Sequence, residues 1–131
     1  MIVVDASAMT EWLLQTEIGS RVEARLVRDG DAFHAPHLID AEVVRALRRL
    51  VRTGDVSAPR AGEAVNDLTL LQVTRHPHVD LLGRVWQLRD NVSAYDGTYV
   101  ALAEALDATL VTCDGPLGTA PGHTARVEVI H

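Results

Sequence analysis

Two short apolar runs in this chain end in an acid. Ile2-Val3-Val4 leads into Asp5, and Thr109-Leu110-Val111-Thr112 leads through Cys113 to Asp114. Runs of this kind read as buried, parallel strands, and in open α/β sheets sites form beyond the carboxyl ends of the strands. If both runs belong to one parallel sheet, Asp5 and Asp114 emerge on the same edge. Two further acids, Glu42 and Asp96, stand near the starts of helical stretches that would face that edge. Clusters of carboxylate oxygens suit hard cations such as Mg2+ or Mn2+. A cage of this type is the usual arrangement for metal-assisted phosphodiester hydrolysis, in which the cation polarises the phosphate and activates a water.

Each acid also has a structural role open to it. Asp5 can cap the helix that follows. Ser93-Ala94-Tyr95-Asp96 matches a capping box, in which an acid at the third helical position returns a hydrogen bond to the cap. A helix N-terminus favours an anion in either role. Asp114, before Gly115-Pro116, is an ordinary turn residue. Glu42 lies on a helix whose apolar face is Val43, Leu47, Leu50 and Val51 and whose opposite side is Arg45, Arg48, Arg49 and Arg52. It falls on the border between the two. It can pair with Arg45 or Arg49 for a few tenths of a kcal/mol. It can equally be an acid at a pocket rim, with those arginines ready for phosphates.

Other chemistries find little support. All twelve basic residues are arginine, so mechanisms that need a lysine, such as Schiff bases and the P-loop, are excluded. His34, His37, His76 and His78 sit near prolines in expected loops, and there is no H-E-x-x-H pair, which argues against zinc. Ser7 has no G-x-S-x-G elbow around it. Cys113 reads as a packing residue, and Trp12 and Trp86 as core or interface residues rather than platforms for stacking bases. Eighteen acids against twelve bases give a net charge of −6, so a nucleic acid, if bound at all, would be gripped by a local patch or through metal ions rather than by bulk charge.

The elements that must position these acids follow from the pattern of the chain. With 131 residues, one domain over 1–131 is expected, and an aromatic content of 4% calls for an aliphatic core. The apolar periodicity predicts helices over 6–14, 19–28, 38–52, 79–90 and 93–106, and a further helix opened by Ser57 and Pro59. It predicts weaker strands over 32–35, 70–74 and 126–130. Alternating strands and helices specify an α/β fold, a parallel sheet with helices on both faces. A single cysteine rules out an intrachain disulfide and fits a reducing compartment. No segment has the length of a membrane span or the pattern of a signal peptide, so the expected location is the cytoplasm.

Four segments together carry a resemblance. Ile2-Val3-Val4-Asp5-Ala6-Ser7-Ala8 is similar to the opening of PIN-domain proteins of the VapC toxin type. Pro36-His37-Leu38-Ile39-Asp40-Ala41-Glu42-Val43, with Ala46-Leu47-Arg48-Arg49, resembles their second motif. Ser93 to Ala103 resembles the third, and Leu110 to Leu117 the fourth. The match is collinear over nearly the whole chain. It implies a PIN-like α/β/α sandwich with Asp5, Glu42, Asp96 and Asp114 around one acidic pocket. It implies a Mg2+- or Mn2+-dependent endoribonuclease acting on single-stranded regions of tRNA, rRNA or mRNA. A homodimer and a cognate VapB-like antitoxin that blocks the pocket are implied as well. By the same resemblance, Asp5 and Asp96 are the direct metal ligands, and Glu42 and Asp114 act through water. Ser7 and Thr112 support the pocket, and Arg45 and Arg49 are placed to contact RNA phosphates. Gly97, where many relatives carry Ala, is one departure; Cys113, beside the fourth acid, is another.

Two other readings of acids at strand ends fail or stand apart. Haloacid-dehalogenase-like phosphatases need a second Asp where this chain has Ser7, and they need a lysine, as receiver domains also do. A PIN-like binding or scaffold module without catalysis is the remaining alternative. The presence of all four acids argues against it, and it would show no stabilisation by Mn2+.

Overall fold

The computed structural model describes all 131 residues. In chain order the elements are β1 (Ile2–Val4), α1 (Ala6–Leu14), α2 (Glu17–Arg28), β2 (Phe33–Pro36), α3 (Leu38–Arg52) and α4 (Ala58–Leu70). They continue with β3 (Thr74–His76), a 3-10 turn (Val79–Leu81), α5 (Leu82–Gln87), α6 (Ala94–Leu106), β4 (Thr109–Thr112), α7 (Gly115–Thr119) and β5 (Arg126–Val129). The five strands form one parallel sheet in the order β3-β2-β1-β4-β5. The chain therefore moves outward from β1 to β3, returns to β4 beside β1, and finishes at β5. Right-handed crossovers then require the helices of the two halves to cover opposite faces. In agreement, α1 to α4 pack on one another, α5 packs on α6, and α6 spans β1, β2 and β4.

The centre of the sheet is fully apolar. Ile2, Val3, Val4, Leu110 and Val111 have no solvent exposure. Both faces of β1 and β4 are covered, which is why these strands read as continuous apolar runs rather than as alternations. The helix α6 presents a buried stretch from Gly97 to Ala103, and α3 buries Ile39, Val43 and Leu47. One glycine is required by a close approach. A Cβ on Gly19 would lie 2.0 Å from the backbone oxygen of Glu11, so α2 can cross α1 at this distance only without a side chain.

Several expected boundaries move. The helix expected over 19–28 begins at Glu17, because the Thr16 hydroxyl accepts the Gly19 N–H and starts the helix earlier. The strand expected over 70–74 lies instead at Thr74–His76, and Leu70 ends α4. The edge strand β3 is polar. Arg75 makes a two-pronged bond to Asp40 (2.7 and 2.9 Å) and donates to the Leu68 carbonyl, and His76 meets His34 at 2.8 Å. No apolar pattern marks such a strand. The helix expected over 79–90 breaks into the 3-10 turn and α5. Trp86 is 68% exposed, stacked under Arg89, and is not a core residue. Gly115-Pro116, expected as a turn, opens the short helix α7.

Candidate functional site

The register of the sheet brings Asp5 to β4. Val4 pairs with Val111, and the Asp5 N–H donates to the Val111 carbonyl at 3.2 Å, so Asp5 and Thr112 stand side by side at the carboxyl edge. Asp5 is the N-cap of α1: its Oδ1 accepts the Ala8 N–H (3.0 Å) and the Ser7 hydroxyl (2.6 Å). The Thr112 hydroxyl donates to Oδ2. Each hydroxyl is oriented by a second bond, since Ser7 Oγ accepts the Cys113 N–H and Thr112 Oγ1 accepts the Asp114 N–H, both at 3.0 Å. The carboxylate is thus wired into two strand ends and one helix start. It has four lone-pair sites and three bonds, which leaves one position free on Oδ2. The capping role and an unused acceptor position on a buried carboxylate coexist.

The other three acids reach the same edge from helix starts. Asp96 is the third residue of α6, capped by Ser93, whose oxygen accepts the Asp96 N–H at 3.1 Å. Only this half of the expected capping box forms: the Asp96 carboxyl returns no hydrogen bond. Asp114 occupies the N-cap of α7 without making a side-chain cap bond. Glu42 lies in the second turn of α3 and forms no ion pair with Arg45 or Arg49, so the helix-pair reading is not what the structure holds.

The electrostatics show which effect dominates. A helix N-terminus stabilises an anion by at most about 1–2 kcal/mol. Burial and mutual repulsion outweigh this. Burial raises the Asp5 pKa, against the bonds from Ser7, Thr112 and Ala8, and the charge of Asp114 raises it further. Burial also raises Glu42, partly offset by Tyr99 and reinforced by Asp5. Asp96 is pushed up to about 6, first by burial and then by Asp114, Asp5 and Glu42. Four acids therefore share one field. No basic side chain is ion-paired with any of them.

Tyr99 is the residue that sequence reasoning missed. It is 1% exposed, and its hydroxyl stands beside Glu42 without hydrogen-bonding geometry, so that both Tyr99 Oη and Glu42 Oε1 are buried and unpaired. Its spacing of three from Asp96, on the same face of a helix, was the available signal. Cys113 is pushed up to about 11 by burial and by Asp5 and Glu11, which keeps it a thiol and agrees with a packing role.

A groove of about 690 Å³ opens beside these acids, between α1 and α3. Ser7 and Glu42 line it, together with Arg45 and Arg49, whereas Asp5, Asp96 and Asp114 do not. Of the four acids, only Glu42 lines this groove; the other three adjoin it at the carboxyl edge of the sheet.

A divalent cation fits this donor set. The cluster has an orphaned buried oxygen on Glu42, a half-buried Asp96 carboxyl that accepts nothing, and no ion pair to a basic side chain, although Arg45 is near enough to favour the Glu42 anion. All its donors are oxygens, the preference of a hard cation. No three side chains close tightly enough to hold an ion alone, so water or substrate oxygens must complete the shell.

Comparison with known proteins agrees with this layout. Residues 2–118 match the PIN domain family. The chain is 45% identical over 114 residues to a VapC ribonuclease of Mycobacterium bovis, covering 87% of this chain and 86% of that one. It is 41% identical over 130 residues to ribonuclease VapC12 of Mycobacterium tuberculosis, covering 99% of each. A solved structure of VapBC2 from Rickettsia felis, bound to a DNA fragment from its promoter, shares the fold with a TM-score of 0.68 at 13% identity, covering all of both chains.

Proposed function

The chain belongs to the PIN domain family, and from that premise we propose that it is a divalent-metal-dependent endoribonuclease, the VapC-type toxin of a toxin–antitoxin pair. Residues 1–131 are read as one PIN domain. The observation that carries this reading is the Asp5 carboxylate, held by Ser7, Thr112 and the Ala8 N–H with one lone pair of Oδ2 free, among three further acids that no basic side chain ion-pairs.

In this reading Asp5 and Asp96 hold Mg2+ or Mn2+ directly, and Glu42 and Asp114 hold it through water. When bound, the cation stabilises charge on the scissile phosphate and lowers the pKa of the attacking water. Ser7 and Thr112 fix the orientation of Asp5, so that no reorganisation is needed as charge develops. Glu42, whose pKa is raised by burial, is the more basic for it and is placed to take a proton from the attacking water. Arg45 and Arg49 contact substrate phosphates at the groove. The partners are an RNA substrate, a VapB-like antitoxin and a second copy of the chain in a homodimer. No helix is long and apolar enough to cross a membrane, and the cytoplasm is the proposed site of action.

The test is cleavage of an end-labelled single-stranded RNA by the purified protein with Mn2+, with Mg2+ and with EDTA. Cleavage with either cation and none in EDTA is expected. Equal cleavage in EDTA would remove the metal from the account, and no cleavage under any condition would favour an inactive scaffold.

A further inference from the structure

The twelve arginines divide sharply by their partners. Arg21, Arg25, Arg28, Arg60, Arg75, Arg84 and Arg126 are all ion-paired with carboxylates. Arg89 lies over the ring of Trp86 and donates to its carbonyl. The remaining four are Arg45, Arg48, Arg49 and Arg52. They are exposed, make no ion pair or side-chain hydrogen bond, and all lie on α3.

Their spacing of i, i+3, i+4 and i+7 places them on one stripe of the helix, and all four line the groove between α1 and α3. Like charges at this spacing repel one another, at a cost of a few tenths of a kcal/mol per pair. A chain with eighteen acids has pairing partners to spare, and it uses them for nearly every other arginine. The bare stripe is therefore matched to negative charge from outside. Guanidinium groups suit phosphate, which they bind in a two-pronged geometry.

We propose that the α3 stripe is a phosphate track, which binds the RNA strand on one side of the scissile bond and leads it away from the carboxylates. This rests on the nuclease reading above and assigns Arg48 and Arg52 in addition to Arg45 and Arg49. The direction follows from topology. Because α3 comes after β2 in a parallel sheet, its start lies at the carboxyl edge with Glu42, and it runs back along the sheet. Arg45 to Arg52 then cover about 10 Å of helix, stepping away from the acids. Arg45 and Arg49 flank Glu42 on the helix surface, and Arg52 is the far end of the track. No aromatic side chain lines the groove, so the track has no platform for stacking bases and reads the backbone without regard to sequence. An acidic protein segment could also satisfy four arginines. RNA is favoured because Glu42 and Ser7 line the same groove, so that a strand with one phosphate at the acids lays its neighbours along α3.

The experiment measures binding of a fluorescein-labelled single-stranded RNA in EDTA, over a range of salt, to wild type, to Arg48→Gln, to Arg52→Gln and to the double variant. Cleavage in Mn2+ and thermal melting are followed in parallel. Each substitution is expected to weaken binding several-fold and to flatten the log–log salt dependence by about 0.7, the increment of one phosphate contact on a single strand. KM should rise with kcat unchanged, and the melting temperature should hold or rise. An unaltered salt slope overturns the track, as does a wild type that binds no RNA. Variants that bind RNA normally but lose affinity for an acidic peptide would assign the stripe to a protein partner and overturn the RNA proposal. The two readings fail separately: slope changes without metal-dependent cleavage refute the nuclease and keep the track, and cleavage with unchanged slopes does the reverse.

Discussion

Thr112 donates its hydroxyl proton to Asp5, 107 residues away in the chain, and accepts the backbone N–H of Asp114 on the same oxygen. One side chain thus sets both the orientation of the first acid and the path of the loop that carries the fourth. Replacing Thr112 with Val keeps the shape and removes both bonds. Loss of such an orienting partner typically costs 10–100-fold in metal affinity or activity. We expect Thr112→Val to lower Mn2+-dependent cleavage by that factor, with part of the loss recovered at higher pH, because Asp5 loses a bond that favours its anion. Thr112→Ser should retain activity. Equal losses in the Val and Ser variants would mean that the methyl group, and not the hydroxyl, matters.

The pH dependence of the metal-free protein follows from Asp96. Its pKa is raised from 3.8 to about 6 in the folded state. A raised carboxyl pKa means that the folded state binds protons more readily than the unfolded chain. The associated stability is complete below about pH 4 and is lost as pH rises through 6. His34, lowered by burial and by His76, acts in the opposite sense, its contribution falling away below its ordinary value of 6.5. The comparison of wild type with Asp96→Asn isolates the first effect. In EDTA the variant should be more stable than wild type at pH 7.5, by roughly 1–2 kcal/mol after allowance for solvent screening. The gap should close toward pH 4. Melting curves at the two pH values check this, and a gap independent of pH would contradict it.

Two glycines in helices should respond oppositely to Ala. At Gly19 the new methyl would press on the backbone of Glu11, which cannot move aside without separating α1 from α2. Gly19→Ala should cost more than about 2 kcal/mol. At Gly97 the nearest atoms are γ-methyls of Val85 and Val92, both 3.4 Å away, which is ordinary van der Waals contact. Gly97→Ala should stabilise α6 by up to about 1 kcal/mol, with cleavage retained. Urea denaturation distinguishes the two.

If the proposed toxin–antitoxin reading holds, the acidic cluster, on a chain of net charge −6, should draw a basic residue of the antitoxin into the site. Co-purified toxin and antitoxin should cleave RNA far more slowly than the toxin alone and recover when the antitoxin is proteolysed. A complex as active as the free toxin would overturn inhibition at this site.

The parts of the fold legible in the sequence are those where local and global signals coincide. β1 and β4 are apolar because both of their faces are buried, and the boundaries of α1 and α3 fall where the apolar period places them. The same signals placed Asp5 and Asp114 on one edge. β3 was displaced because its stability comes from contacts distant in sequence, Arg75 with Asp40 and His76 with His34, which leave no apolar alternation. The capping box at Ser93 was legible, but the freedom of the Asp96 carboxyl was not, since it depends on a reciprocal bond that local sequence cannot guarantee. Tyr99 carried no sequence signal beyond its spacing of three from Asp96, and it is fully buried. That its hydroxyl stands beside Glu42 is a consequence of how α6 and α3 approach the same sheet edge.

The most direct test of the account is Asp96→Asn, followed by melting with and without Mn2+ and by cleavage of a labelled single-stranded RNA. Wild type should gain stability with Mn2+ in proportion to the logarithm of its concentration above Kd and should cleave RNA only with metal. The Asn variant should fold, melt higher than wild type in EDTA at pH 7.5, gain little from Mn2+ and leave the RNA intact. A folded Asp96→Asn protein that cleaves at the wild-type rate in EDTA would contradict the central claim, that the acids at the carboxyl edge act through a divalent cation.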